Sequence, residues 1–233
     1  MTNLISVASD SLSVIPPGGE CFSVPGRVGR DLLSLLSERN GFYAFESALH
    51  VFPTDDRDSQ LQSLESWNSA VGWRRAYGEL DPGLFFFAED LFGLQFGTDG
   101  EVVFSFNPET ANVVRLSEGL AEWEKLVLSD YSHMTGHSLA HEWQVRNGEI
   151  PVGHRLIPRI PFVVGGSFSV ENMVLVESWG AMKYWGDFAR SVAEVPDGEQ
   201  FRFDVSKVER IRCARDRSAD AAQCLCFGSA QDL

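Results

Sequence analysis

Residues 84–116 read LFFFAEDLFGLQFGTDGEVVFSFNPETANVVRL, and their pattern indicates the class of fold. It holds four short runs of aromatic and β-branched residues, which favour extended backbone. Asp99-Gly100 between the second and third runs is a strong hairpin turn signal. A further turn at residues 107–110 precedes the fourth run. Four consecutive short strands joined by tight turns predict an antiparallel meander.

Helical patterns lie on both sides of this meander. Leucines recur at helical spacing over residues 28–39, and Asn40-Gly41 supplies a left-handed stop. After the meander, Ser117 can cap a helix whose apolar stripe includes Leu120 and Trp123. Because no strand–helix–strand rhythm is present, the sequence predicts an α+β fold, with an antiparallel sheet packed with helices.

Further elements are predicted outside this central region. The spacing of apolar residues favours helices over residues 59–69, 137–146 and 179–193. Strands are predicted at residues 162–164, 173–176 and 201–205, a buried extended segment at 42–52, an extended connection spaced by prolines at 151–161, and a loop at 73–82.

The length of 233 residues is compatible with one core and an extension. We predict a single α+β domain over residues 1–205, with a core at about 28–130 and an α+β extension at 131–205. Residues 206–233 are rich in charge and small side chains, and we expect this tail to be partly disordered. Four cysteines are too few for a secreted disulfide framework, so reduced thiols are expected. Cys224 and Cys226 have no second pair at zinc-ribbon spacing.

Composition bounds the environment and the partners. Nineteen basic and 33 acidic residues give a net charge of −14, which repels nucleic-acid phosphates and favours solubility. The chain has no apolar run of the roughly 20 residues that a spanning helix needs, and its first residues do not resemble a secretion signal. We therefore expect a cytoplasmic protein that binds neither nucleic acid nor membrane. We also expect no cofactor, because Gly165-Gly166 lacks the remainder of a dinucleotide motif and no Walker sequence occurs.

Three histidines provide the clearest hypothesis for a metal site. His133, His137 and His141 stand four residues apart and would share one face of a continuous helix. A small metal-dependent hydrolase using this cluster is therefore an alternative function. However, Gly136 is expected to interrupt the helix, and Glu142 does not occupy the position that it has in the helical zinc-protease motif. Packing or solvent-facing histidines are the simpler interpretation.

Two other features are candidates for function. Glu89-Asp90 follows a β-prone run, where carboxylates can act in acid–base chemistry or simply form a turn. No nucleophile motif of the Gly-x-Ser-x-Gly type occurs. Most of the tryptophans should lie in the core, but Trp73, beside two arginines in a predicted loop, is a candidate interface anchor.

The central region resembles the SUKH superfamily, which groups fungal cell-wall-assembly regulators and bacterial immunity proteins. The resemblance covers about residues 28–130 and rests on element order and short strings. These are the helix ending in Asn40-Gly41, the run at 85–90 before a glycine, the Asp99-Gly100 hairpin and the helix starting at 117–123.

The resemblance implies a protein-binding module without catalysis, and for bacterial members an immunity protein that neutralises a cognate toxin. An acidic surface would suit a basic toxin. We therefore expect a protein partner, with a scaffold subunit of a larger assembly as a further alternative. The acidic residues expected at the interface are Asp55, Asp56, Asp58, Glu89 and Asp90.

Overall fold

Six strands that follow one another in the chain form the main sheet. The computed structural model describes residues 4–17, 24, 26–55, 61–196 and 208. Each strand pairs antiparallel with the next, in the order β1 to β6. The strands are β1 (Phe42–Ala44), β2 (Leu49–Val51), β3 (Phe85–Asp90), β4 (Gln95–Thr98), β5 (Val103–Phe106) and β6 (Val113–Ser117). The meander predicted over residues 84–116 is therefore confirmed, and the segment at 42–52 adds a hairpin to it.

Within the described part of residues 4–196, six α-helices accompany the sheet, and the α+β class predicted from the sequence is confirmed. They are α1 (Gly26–Glu38), α2 (Leu64–Trp67), α3 (Leu120–Ser129), α4 (Tyr131–Thr135), α5 (His137–Asn147) and α6 (Ser178–Ala193). Gly136 adopts a left-handed conformation (φ 74°) and separates α4 from α5, as expected. None of the helices that the structure describes has the length and apolar character needed to cross a membrane.

Several predicted elements differ from those observed. The helix predicted at 59–69 is the short α2 in the described residues, because Ser63 caps it by accepting a hydrogen bond from the Ser66 amide. The predicted loop at 73–82 contains two 3-10 turns, Trp73–Ala76 and Gly78–Leu80. The predicted strand at 201–205 and nearly all of the tail lie outside the described residues.

A second, two-stranded sheet follows α5. β7 (His154–Pro158) pairs antiparallel with β8 (Met173–Glu177). The sequence predicts β8, but it predicts only an extended connection where β7 forms. The strand predicted at 162–164 is wrong, because this segment is a 3-10 turn that ends at left-handed Gly165 (φ 93°).

The main sheet is covered on both faces. On one face, the rings of Phe87 and Phe96 pack edge-on against Trp123 of α3. On the other, Phe86 and Phe106 pack against the 73–77 segment. α6 lies over this segment and is joined to it closely, since a Cβ on Gly186 would come within 2.7 Å of the Ala76 side chain. The order is therefore helix, sheet, and a mixed layer of β7, β8 and α6.

Candidate functional site

A row of polar side chains crosses the buried face of the sheet beneath the mixed layer. The strand register places Tyr43 opposite His50, His50 opposite Glu89, and Glu89 opposite Gln95. Directly opposed residues of antiparallel strands project from the same face. Arg155 of β7 reaches this row from above and places its Nε 3.0 Å from Glu89 Oε1.

The carboxylate of Glu89 is the centre of this row. It lies 3.2 Å from His50 Nδ1, and its second oxygen accepts a hydrogen bond from Gln95 Nε2 at 3.4 Å. Burial alone would raise the pKa of Glu89, but Arg155 and the hydrogen bond from His50 together hold it below its ordinary value. Burial lowers the pKa of His50 to about 4, so the imidazole is neutral at neutral pH. The ion pair between Glu89 and Arg155 joins the main sheet to β7.

Two of the residues expected at an interface are therefore in the interior. Glu89 is fully buried, so it cannot contact a partner that docks on the folded surface. Trp73 is 1% exposed and packs among Trp67, Tyr77 and Phe86, because the 73–77 segment lies between the sheet and α6. Both side chains are therefore inaccessible on the surface of the folded chain.

The turn between β1 and β2 has an unusual backbone. Phe45, Glu46 and Ser47 have positive φ values of 53°, 54° and 67°. Left-handed backbone costs a residue with a side chain roughly 1–2 kcal/mol, so the surrounding contacts must hold the turn in place. The predicted histidine face makes two of those contacts, since Glu46 Oε2 lies 2.8 Å from His141 Nδ1 and Glu46 Oε1 lies 3.7 Å from His137 Nε2.

His137 and His141 hold the turn between β1 and β2 in place through Glu46. The hydrogen bond with His141 lowers the pKa of Glu46, and Gln144 of α5 donates to the Glu46 carbonyl. His133 lies on α4, before the left-handed break at Gly136. The described residues contain no group of three or more histidines, cysteines or acids that could hold a metal ion.

A cleft of about 290 Å³ lies beside the connection between β3 and β4. Two carboxylates line it, one from β3 and one from the β5–β6 turn. Asp90, at the end of β3, accepts hydrogen bonds at 2.8 Å from the amides of Phe92 and Leu94 through one oxygen. Glu109, in the β5–β6 turn, accepts from the amides of Phe162 and Val163 at 3.1 and 2.9 Å. The remaining lining residues are Asn107, Pro108, Thr110 and Asn112.

Both residues are largely buried, since Asp90 is 6% and Glu109 is 5% exposed. Burial raises the pKa of Asp90 from its ordinary value of 3.8 to about 7, and burial also raises the pKa of Glu109. Backbone amides oppose this rise in both cases, and the charge of Arg155 also lowers the pKa of Asp90. The cleft is therefore a place where a cation would be stabilised.

One wall of the cleft continues into an exposed apolar loop, residues 160–168. Its exposed apolar residues are Ile160, Val163, Val164 and Phe168. Phe168 is 61% exposed, more than any other phenylalanine that the structure describes. Its ring still packs against Phe92 and Phe162, with centroid separations of 5.3 and 5.6 Å.

The 160–168 loop has a fixed shape. Asn172 donates to the carbonyls of Ile160 and Ser167 and accepts from the Ile160 amide, so one side chain ties both ends together. Gly166 packs so closely on the Ile160 carbonyl that a Cβ would lie 1.8 Å from its oxygen. The apolar side chains are thus presented on a backbone that is already ordered.

The site contains one residue that the sequence singles out. Asp90 lines the cleft, Asp55 is partly exposed, and Asp56 and Asp58 lie outside the described residues. Sequence reasoning missed Glu109 and the 160–168 loop. A usable signal was present, because Phe168 stands in the polar stretch Gly165-Gly166-Ser167-Phe168-Ser169, where burial of an aromatic ring is not expected.

Comparison with known proteins gives few matches. No family model matches the chain, and no curated protein matches it. Among solved structures, the crystal structure of Atu4351 from Agrobacterium tumefaciens shares 14% identity with this chain and has a TM-score of 0.48. That alignment covers 78% of this chain and 86% of the other.

Proposed function

We propose that this chain is a non-catalytic protein-binding module, and specifically an immunity protein that neutralises a cognate bacterial toxin. The observation that carries the proposal is the 160–168 loop. It exposes four large apolar side chains within nine residues. Single exposed apolar residues are ordinary on protein surfaces, whereas contiguous groups mark contact sites.

The order of the loop adds to this argument. A surface that is already ordered loses less conformational entropy when a partner binds, so more of the contact energy appears as affinity. Asn172 and Gly166 hold this loop in one shape. Phe168 is the natural anchor, because aromatic side chains contribute large contact areas in interfaces.

Charge indicates the kind of partner. The chain has a net charge of −14, and the cleft beside the loop is lined by two carboxylates. A basic toxin would be steered toward such a surface and would fit it electrostatically. The succession of helix, hairpin, meander and helix over residues 26–129 also supports the resemblance to the SUKH immunity proteins.

The proposal is tested with the protein encoded by the open reading frame beside this gene. We expect a 1:1 complex by calorimetry whose affinity falls as salt is raised, and protection of cells that express that neighbouring protein. Phe168→Ser and Val163→Ser should each weaken the complex, by about tenfold or more, because both remove apolar contact area.

Val71→Ser is the matched control for Val163→Ser. Val71 is 84% exposed and lies outside the 160–168 loop, so its replacement should leave the affinity unchanged. The proposal fails if the neighbouring protein does not bind, or if Phe168→Ser and Val163→Ser both bind as tightly as the unaltered chain does.

A further inference from the structure

The cleft and the 160–168 loop belong to one continuous surface. Phe162 and Val163 form part of the cleft lining, and Val163 is also one of the exposed residues of the loop. Phe92 lines the cleft and supports the Phe168 ring. A partner that covers the loop therefore also covers the mouth of the cleft.

We propose that this cleft receives a lysine or arginine side chain of the protein that docks on the 160–168 loop. The proposal rests on the proposed function, since it names what one part of that docking surface recognises. It makes Asp90 and Glu109 the residues that select a basic side chain at this position.

The arrangement of polar groups fits a cation. Asp90 and Glu109 approach from separate elements, β3 and the β5–β6 turn, and both line the same 290 Å³ space. Their oxygens accept hydrogen bonds from backbone amides, which fix the carboxylates without neutralising them. A carboxylate has about four acceptor sites, so both groups retain capacity for an ammonium or guanidinium donor.

The apolar part of the lining fits the stem of such a side chain. Phe92, Leu94, Pro108 and Phe162 contribute apolar surface to the cleft. Lysine and arginine bury their methylene stems along apolar surface while the charged end finds polar partners. Cations are also attracted to the faces of aromatic rings.

Other ligand classes fit less well. A phosphate or carboxylate would be repelled by two carboxylates, and a neutral apolar side chain would displace water from them without supplying a counter-charge. A bound metal ion would require further protein ligands, and no group of three or more candidate metal-ligating side chains occurs in the described part of the chain.

The experiment uses the full-length chain and two short peptides. Acetyl-Gly-Gly-Lys-Gly-Gly-amide carries the cation, and its norleucine counterpart has a neutral side chain that lacks it. Each is titrated at millimolar concentrations while amide NMR signals are followed. We expect the lysine peptide to cause saturable shifts at the amides of Phe92, Leu94, Phe162 and Val163, which are the donors to Asp90 and Glu109.

Asp90→Asn is the decisive variant. Asparagine retains an oxygen that can accept from Phe92 and Leu94, so the local turn is preserved while the charge is removed. We expect it to weaken binding of the lysine peptide about fivefold or more, because an ion pair of low solvent exposure is lost. Equal shifts with both peptides, no saturable shift with either, or an undiminished response in Asp90→Asn would each overturn the proposal.

The complex with the neighbouring gene product separates this inference from the proposed function. If the complex forms and Asp90→Asn leaves its affinity unchanged, the cleft does not receive a basic side chain although the docking function stands. If the lysine peptide binds but the neighbouring protein does not, the proposed partner is wrong and the cation site remains.

Discussion

At the scale of single residues, the ion pair between Glu89 and Arg155 connects the main sheet to β7. Both side chains are fully buried, and Arg155 also donates to the carbonyls of Ser47 and His154. Taking two charges out of water is costly, so the pair is a weak source of net stability. Removing one partner is different, because the other is then left charged and unpaired.

We predict that Arg155→Met lowers the free energy of unfolding by about 3–5 kcal/mol. Urea denaturation measures this loss. Adding Glu89→Gln to that variant should recover about 2 kcal/mol, because the neutral amide no longer needs a cation. Independent losses from the two substitutions in a double-mutant cycle would contradict a direct pairing.

The same variant should show a defined pH dependence. Without Arg155, burial places the folded-state pKa of Glu89 above its ordinary value, so the unfolded state ionises first. Stability then falls as pH rises above that ordinary value. The loss in free energy of unfolding caused by Arg155→Met should therefore be smaller at about pH 5 than at about pH 8.

The buried carboxyl of Asp90 leads to a separate prediction about how stability depends on pH. Its folded-state pKa is about 7 against an ordinary 3.8, so the stability that it contributes is present in acid and is lost as pH rises through 7. We predict that Asp90→Asn removes this loss and is more stable than the unaltered chain by about 1–3 kcal/mol at about pH 8. The two proteins should become equal near pH 4, as followed by urea denaturation.

Asp99→Asn is the control, because its predicted effect on stability is opposite to that of Asp90→Asn. Backbone amides of Glu101 and Val102 lower the pKa of Asp99, so its stabilising contribution is present at neutral pH and is lost as pH falls. Asp99→Asn should therefore be less stable at neutral pH and equal to the unaltered chain in acid. A gain for both variants at about pH 8 would indicate a general effect of net charge rather than burial at Asp90.

At the scale of elements, the left-handed turn at residues 45–47 stores strain that one substitution should relieve. Ser47 has a φ of 67°, which glycine adopts without steric cost. We predict that Ser47→Gly stabilises the protein by about 0.5–1 kcal/mol, after allowance for the greater freedom of glycine in the unfolded state. Ser34→Gly, at an exposed position inside α1, should destabilise it by about 0.5 kcal/mol.

The sequence correctly predicts the elements whose ends are set by the backbone preferences of nearby residues. Asp99-Gly100 and Gly136 set a hairpin and a helix boundary through their own backbone preferences. β7 is different, because prolines at both ends give an extended segment, and only its pairing with β8 makes it a strand. Residues 162–164 have strand-like side chains, but the tie through Asn172 and the turn at Gly165 form a compact loop instead.

At the scale of the whole molecule, the site depends on contacts that no local pattern contains. Glu89 is recognisable as a strand-end acid, but its burial follows from the register of four strands and from Arg155 in a distant part of the chain. The cleft likewise needs β3, the β5–β6 turn and the 162–163 segment together. Asp90 could therefore be named from the sequence, whereas its cavity and its neighbour Glu109 could not.

The same long-range contacts indicate that the described residues after 130 do not fold independently of the 28–130 region. One apolar cluster includes Trp123 of α3 on one face of the sheet and Trp185 of α6 on the other, and both are fully buried. In the described residues, this cluster and a second one, which includes Leu91 and Trp143, each contain residues from both the 28–130 region and the residues after it. We predict that the full-length chain unfolds in one transition, with coincident urea curves from tryptophan fluorescence and far-ultraviolet circular dichroism.

A fragment of residues 1–135 tests this coupling directly. It retains the whole main sheet but loses β7, β8 and α6, so the sheet face that carries Glu89 and the 73–77 segment both lose their cover. Exposing the apolar surface beneath that layer costs several kcal/mol, which is comparable with the total stability of a domain. We therefore expect the fragment to show no cooperative urea transition, and a sharp transition in it would mean that the sheet and its first helical layer fold without the mixed layer.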